Sequence, residues 1–163
     1  MSAEFQARRV THEYTQLNEA LPEQVFPLLC PVREQDWVPG WRYRLIYSQS
    51  GVAELGCVFA TPNSDGPETF WVTSEYDPAR FRIAFVWVWP GMVSCHLGIH
   101  LTAHESQKTS AHIQYAYTGL SLEGNEEVGR YSREWFENKM KGWEAAINHY
   151  LRTGRKLGAE PWE

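Results

Sequence analysis

The sequence lacks the features that mark several common classes of protein. Its three cysteines, Cys30, Cys57 and Cys95, form no CxxC pair, so we expect reduced, buried thiols rather than a disulfide or a metal site. The chain has no run of about 20 apolar residues, which predicts that no segment spans a membrane. The net charge of −5 argues against a nucleic-acid partner, because binding phosphates needs clustered basic residues.

The common catalytic motifs are missing as well. The chain contains no GxGxxG, GxxxxGKS/T, GxSxG or HExxH, which argues against nucleotide-binding, serine-hydrolase and zinc-protease chemistry. We expect no cofactor and no metal, and no residue is assigned a catalytic role. Residues 1–5 hold no apolar segment of the kind found in a signal peptide, so we expect a cytoplasmic protein.

Aromatic residues are what the sequence has in excess. Eight Trp, eight Tyr and seven Phe make up 14% of the chain, which is more than core packing usually needs. They suit the wall of a pocket and they also suit a plain core, so composition does not distinguish the two. The length of 163 residues predicts a single domain over residues 1–163, with its core at about 8–154.

Alternating apolar and polar residues predict about seven β-strands. Short turns separate the strands, so they should form an antiparallel sheet. The predicted strands are residues 9–17, 41–48, 56–61, 68–76, 81–89, 92–104 and 108–121. One or two short helices within residues 21–37 should follow the first strand, since proline is favoured in the first turn of a helix.

The C-terminal part of the chain carries a helical pattern. Apolar residues recur at steps of three, four and seven, which predicts one amphipathic helix from Asn125 to about Thr153, roughly 43 Å long. Asn125 is a suitable N-cap and Gly154 a suitable stop. An apolar stripe of that length needs a large partner surface, and only the sheet offers one. The small-molecule interpretation below depends on a single unbroken helix, on its packing against the sheet and on a space left between them.

Three segments add a family resemblance. They are PEQVFPLLCPVREQDWVPGW (Pro22 to Trp41), YDPARFRIAFVW (Tyr76 to Trp87) and YTGLSLEGNEEV (Tyr117 to Val128). Taken together with the order of the predicted strands and helices, these segments resemble the START-like superfamily, also called Bet v 1-like or SRPBCC. Within it they are similar to bacterial polyketide cyclase/dehydrase-like and lipid-transport members. The resemblance implies an α+β helix-grip fold, in which a curved antiparallel sheet of seven strands wraps a long C-terminal helix around a cavity. It specifies fold better than function.

The resemblance implies functions of three classes. The first is binding or transport of a small hydrophobic ligand (a lipid, a polyketide or an aromatic compound) in the cavity. The second is an aromatase/cyclase or dehydratase reaction on a polyketide in the same cavity, so whether the chain is an enzyme stays open. The third is a co-chaperone-like protein-interaction domain, which would need an exposed apolar patch such as Trp87 to Gly91. We expect a monomer or a homodimer.

The predicted ligand-binding residues are those whose side chains should face the helix from the sheet, together with two from the helix. They are His12, Tyr14, Trp41, Tyr43, Trp71, Phe85, Trp87, Tyr115, Tyr117, Trp135 and Phe136. His12 could act as a general base beside Tyr14, or be an ordinary core histidine with one partner. On the outer face His100 should lie opposite His112, and two ligands are too few for a good metal site.

Overall fold

An antiparallel sheet of seven strands forms the body of the protein. The computed structural model describes residues 4–158, so both ends of the predicted domain, 1–3 and 159–163, lie outside the described residues. The strands are β1 (Arg9–Asn18), β2 (Arg44–Tyr47), β3 (Val58–Thr61), β4 (Thr69–Asp77), β5 (Arg82–Trp89), β6 (Val93–His104) and β7 (Lys108–Gly119). Their spatial order is β1-β7-β6-β5-β4-β3-β2, and the predicted antiparallel sheet is confirmed.

Alternation of side chains along the strands determines which face of the sheet is buried. Along β6 every second residue from Val93 to Leu101 is buried, and along β5 the same holds for Ile83, Phe85 and Trp87. A bulge interrupts the pairing of β4 with β5 between Thr73 and Glu75. Bulges bend a strand and increase its twist, so this one contributes to the curvature of the sheet.

The connection between β1 and β2 contains short helical turns, as predicted. These are α1 (Pro22–Val25), a 3₁₀ turn (Phe26–Leu29) and α2 (Pro31–Trp37), and each has a proline in its first turn. Trp37 is fully buried, and its indole N–H donates to the Leu28 carbonyl over 2.9 Å. This bond holds the end of α2 against the turn that precedes it.

The prediction of one continuous C-terminal helix from Asn125 to Thr153 is wrong. The chain forms two helices, α3 (Leu122–Gly129) and α4 (Arg133–Thr153), separated by residues 130–132. At 21 residues, α4 is roughly 32 Å long. Contrary to the prediction, the small-molecule interpretation does not need a continuous helix, because α4 alone, the long helix of a helix-grip fold, packs against the sheet and borders the space between them. Gly154 ends α4 with a positive φ of 70°, as predicted. The apolar stripe continues across the break, which is why its periodicity gave no sign of an interruption.

Two serine caps account for the break. The side chain of Ser121 accepts a hydrogen bond from the Gly124 N–H at 2.9 Å, and that of Ser132 accepts one from the Trp135 N–H at 3.1 Å. Each bond satisfies a backbone donor in the first turn of a new helix. Asn125, the predicted N-cap, lies inside α3, where its side-chain oxygen accepts from the Arg8 N–H at 2.8 Å.

The core lies between the concave face of the sheet and α4. Phe136, Met140 and Ile147 of α4 are at most 1% exposed, so they form the seam of this contact. The thiols of Cys30, Cys57 and Cys95 are free and buried.

Candidate ligand-binding cavity

A cavity of about 580 Å³ lies between the sheet, α2 and α4. Small-molecule sites commonly enclose about 300–1,000 Å³, mostly behind apolar walls. Strands β3 to β7 form one side, and α2, the segment after it and α4 form the other. The lining residues are Pro31, Glu34, Val38, Pro39, Trp41, Phe59, Trp71, Phe85, Leu97, Ile99, Ile113, Tyr115, Lys139, Met140, Gly142, Trp143, Ala146 and Leu157.

Four rings, Trp41, Phe59, Trp71 and Phe85, form an aromatic wall on the sheet side. Phe59 stacks on Trp71 with ring centres 5.3 Å apart, and Phe85 meets the same two rings edge-on at 6.1 and 6.0 Å. Trp41 lies 6.5 Å from Phe59. Alternation places Phe59, Trp71 and Phe85 on one face of neighbouring strands, and Trp41 joins them from the segment between α2 and β2. Their mutual contacts hold the rings in fixed orientations.

The polar atoms of the aromatic wall are already engaged by the protein. The indole N–H of Trp41 donates to the Pro31 carbonyl at 2.8 Å, and that of Trp71 donates to the Thr61 hydroxyl at 3.0 Å. Because both donors are satisfied, the wall offers only apolar ring surface to whatever occupies the cavity. A flat hydrocarbon surface is the best complement to it.

Three other side chains bring polar groups to the cavity: Glu34 from α2, Tyr115 from β7 and Lys139 from α4. No hydrogen bond or ion pair within residues 4–158 engages their carboxyl, hydroxyl and amine groups. Of these residues Tyr115 is buried, Glu34 is half-buried and Lys139 is exposed, and the few polar groups that line an apolar pocket orient its ligand. Unpartnered groups in a cavity are therefore the natural contact points for a ligand.

Burial dominates the titration of all three groups. It raises the pKa of the Glu34 carboxyl to about 8, so this acid is mostly protonated at neutral pH. It also raises the pKa of the Tyr115 hydroxyl, and it lowers the pKa of the Lys139 amine.

Aromatic rings fix the position of the Lys139 amine. Its Nζ lies 4.8 Å from the centre of the Tyr115 ring and 5.3 Å from that of Trp135, distances at which a cation is attracted to a ring face. Lys139 is exposed to solvent, while the protein on its other side lowers the pKa of its amine. Both observations fit an amine at the opening of the cavity, with water on one side and protein on the other.

The remaining space between the sheet and the C-terminal helices is filled by aromatic rings. Tyr131 stacks on Trp135 with ring centres 4.4 Å apart, and Tyr117 contacts Tyr131 at 4.8 Å and Trp87 at 6.0 Å. We call this cluster, with Phe136, the packed end. The cavity lies at the opposite end of the contact between the sheet and α4, toward α2.

The structure divides the eleven predicted ligand-binding residues between the cavity and other places. Four line the cavity: Trp41, Trp71, Phe85 and Tyr115. Seven do not line it: His12, Tyr14, Tyr43, Trp87, Tyr117, Trp135 and Phe136. Most of these seven belong to the packed end or border it, because the predicted set was drawn from the whole length of the sheet.

His12 and Tyr14 instead connect β1 to the helices. His12 Nε2 lies 2.6 Å from the Tyr131 carbonyl oxygen, and its ring stacks on Phe136 at 5.1 Å. The Tyr14 hydroxyl donates to the Glu144 carboxylate at 2.8 Å, and burial, with this bond, raises the pKa of Tyr14 to about 12. Both groups have protein partners, as expected for structural residues.

Sequence reasoning missed five lining residues that matter: Glu34, Phe59, Lys139, Gly142 and Ala146. It considered aromatic residues of the strands and overlooked charged and small residues of the helices. Lys139 carries a recognisable signal, because it follows Phe136 by three positions and precedes Trp143 by four. A charged residue at this spacing interrupts an otherwise apolar stripe.

The outer face of the sheet shows no metal centre. His100 and His112 are paired across β6 and β7, as predicted, and His112 Nδ1 lies 3.3 Å from the Thr15 hydroxyl. Within residues 4–158 no group of three or more potential metal ligands occurs. None of the helices described here is both long and apolar enough to cross a membrane.

The chain has the helix-grip fold of Bet v 1-like proteins, which confirms the resemblance found in the sequence. The structure is similar to the Zhui aromatase/cyclase from Streptomyces sp. R1128, with a TM-score of 0.62 at 13% identity over 93% of this chain and 100% of that one. A norcoclaurine synthase from Thalictrum flavum, in complex with dopamine and hydroxybenzaldehyde, matches with a TM-score of 0.61 at 13% identity, over 90% of this chain and 87% of that one.

The Mll3558 protein from Rhizobium loti matches with a TM-score of 0.63 at 16% identity, over 89% of this chain and 99% of that one. No protein-family model matches the sequence, and no curated protein matches it. At such low identities, similarity of structure establishes the fold and leaves the function to be argued from the cavity.

Proposed function

We propose that the protein binds a small hydrophobic molecule, a lipid, a polyketide or an aromatic compound, in the cavity between the sheet and α4, and carries it out of contact with water. The observation that supports this most directly is a space of about 580 Å³ beside the aromatic wall. Protein interiors are normally packed as densely as organic crystals. An apolar space of this size therefore favours an occupant.

The occupants of one similar structure agree with this proposal. The Thalictrum flavum norcoclaurine synthase holds dopamine and hydroxybenzaldehyde, both of which contain one aromatic ring. The aromatic wall of this chain would suit a ligand of the same general kind, because ring surfaces attract one another in stacked and edge-on arrangements. Each 100 Å² of apolar ligand surface removed from water contributes about 2.5 kcal/mol, before the cost of association is subtracted.

Gly142 offers a direct test. It lines the cavity from an exposed position of α4, and a Cβ added to it meets no atom within 4 Å, so the first carbon of a side chain is accommodated without a clash. We expect Gly142→Leu to fold normally, since leucine is a good helix former, and to weaken binding of the neutral fluorescent probe N-phenyl-1-naphthylamine by about tenfold, because it occupies space that the probe needs.

Gly142→Ala is the matched control. It adds a single methyl group and should stabilise α4 by about 0.5–1 kcal/mol, while probe affinity stays within about twofold. The measurement is a fluorescence titration, with urea unfolding of each variant as the check on folding. The proposal fails if the probe does not bind the unchanged protein, or if Gly142→Leu binds it as tightly as Gly142→Ala.

A second function, catalysis of a cyclisation or dehydration in the same cavity, is favoured by one observation. A mostly protonated carboxyl group, Glu34, and an unpaired amine, Lys139, face the same apolar space, and such a pair can give and accept protons. If this function holds, Glu34→Gln should abolish turnover of a polyketide mimic and leave its binding intact. Turnover that persists in Glu34→Gln would contradict it.

A further inference from the structure

The unpartnered polar groups of the cavity are all hydrogen-bond donors at neutral pH. The amine of Lys139 donates whether or not it is protonated, and burial keeps the Tyr115 hydroxyl and most of the Glu34 carboxyl in their protonated forms. The aromatic wall adds ring surface and no free polar atom. A ligand that satisfies three donors must itself bring acceptor oxygens.

Lys139 has no carboxylate partner among residues 4–158. The carboxylates closest to the cavity along α4 and α2 are engaged with other groups. These contacts are Glu137 with Arg133 at 3.1 Å, Glu144 with the Tyr14 hydroxyl at 2.8 Å and Asp36 with Arg33 at 3.0 Å. Glu34 lines the same cavity but forms no ion pair with Lys139.

We infer that the ligand is an apolar molecule carrying one anionic oxygen group, such as an aromatic carboxylate, which pairs with Lys139 while its rings lie against the aromatic wall. This inference rests on the proposed function and narrows it to a chemical class of ligand. Lys139 lines the cavity with its amine over two rings, and a charge-assisted hydrogen bond from such an amine is about twice as strong as a neutral one.

The rings around the amine prepare it for this role. Tyr115 and Trp135 hold Nζ at 4.8 and 5.3 Å from their centres, so little side-chain freedom is lost when an anion arrives. A position fixed before binding reduces the entropy cost of association. Pairing with an anion also favours the protonated amine, so ligand binding should raise the pKa of Lys139 back toward its ordinary value.

The test uses the full chain and two probes of the same shape, 2-naphthoate and its neutral counterpart 2-naphthamide. By isothermal titration calorimetry we expect naphthoate to bind at least about tenfold more tightly than naphthamide, the effect of one hydrogen bond to a charged group. Added salt should weaken the binding of naphthoate and leave that of naphthamide unchanged.

Two lysine variants locate the effect. Lys139→Met keeps an apolar stem of similar length and removes the charge, so naphthoate should lose about tenfold in affinity while naphthamide stays within about twofold. Lys141→Met is the control, since Lys141 is an exposed residue of the same helix that does not line the cavity. It should change neither affinity.

The outcomes separate this inference from the proposed function. If naphthamide binds as tightly as naphthoate, or if Lys139→Met keeps the preference for naphthoate, the inference is overturned and the proposed function stands. If neither probe binds the unchanged protein, both are overturned. A preference that disappears in Lys139→Met and persists in Lys141→Met is the expected result.

Discussion

Glu34→Gln should change how the stability of the protein depends on pH. Burial raises the pKa of Glu34 from 4.5 to about 8 in the folded protein, so the folded state holds this proton more tightly than the unfolded chain does. Stability is therefore greatest at low pH with respect to this group. It falls as pH rises from about 4.5 to about 8, and it changes no further above that range.

The shift sets the size of the effect. A difference of about 3.5 pKa units at 1.36 kcal/mol per unit corresponds to about 5 kcal/mol. Glu34 is half-buried and borders a cavity that water can enter, so part of this penalty is relieved by solvent and we expect at least about 2 kcal/mol. A neutral glutamine of the same shape does not ionise, so it carries no such penalty. The free energy of unfolding of Glu34→Gln, relative to that of the unchanged protein, should therefore rise by this amount between low and high pH.

The assay is urea unfolding followed by tryptophan fluorescence, at pH values from about 5 to 9. Other titrating groups near Glu34, namely Tyr115 and Lys139 at the cavity and Arg33 and Asp36 on α2, remain in both proteins, so their contributions largely cancel. Glu23→Gln, at an exposed position of α1, is the control and should run parallel to the unchanged protein. Parallel curves for Glu34→Gln, within about 0.5 kcal/mol, would refute the argument that Glu34 is a buried acid.

Three further substitutions test the framework of the cavity by urea unfolding. Ser132→Ala removes the cap of α4 and should cost about 1 kcal/mol; no loss would mean that the break before α4 does not depend on this cap. Gly124→Ala would drive a Cβ into the Met92 carbonyl and should cost about 1–3 kcal/mol, whereas unchanged stability would contradict that close approach. Tyr14→Phe removes the bond to Glu144 and should cost about 1–2 kcal/mol without affecting probe binding; a loss of probe binding would contradict a purely structural role.

The sheet could be predicted from the sequence because its signals are local. Each strand alternates, and most of the turns contain proline or glycine. The connection Glu105-Ser106-Gln107 contains neither, but its length of three residues is enough to set the register that pairs His100 with His112. Register in a hairpin follows from the length of the turn, so no long-range information was needed. Strand ends were less predictable: β2 begins at Arg44, where pairing with β3 starts, rather than at Trp41, whose indole donates to the Pro31 carbonyl.

The break between α3 and α4 was missed because a hydrophobic period reports which face is buried and says nothing about backbone continuity. Tyr131 lies between the two helices and still contributes to the apolar side, so the stripe looks unbroken. The informative signal was weaker, two serines eleven residues apart that each precede a first turn containing an acidic residue. Serine at such a position is a helix start as well as a tolerated interior residue.

Where the cavity lies was decided by the residues that α4 presents to the sheet. At the packed end the helices contribute large rings, Trp135 and Phe136, and these fill the gap against Tyr115 and Tyr117. One to three turns later the helix presents Lys139, Gly142 and Ala146 to the cavity, and two of these are small.

Trp143 lies among these small residues, but its ring packs 4.9 Å from that of Trp37 on α2, which keeps it close to the helices. The strands supply aromatic residues along their whole length, so they could not reveal which end is open. The volume of the side chains on α4 does reveal which end is open, because a close-packed interior leaves space only where neither the sheet nor the helix fills it. Gly142→Leu therefore tests this explanation of the cavity as well as the proposed function, since it adds a large side chain at a position where the helix has no side chain.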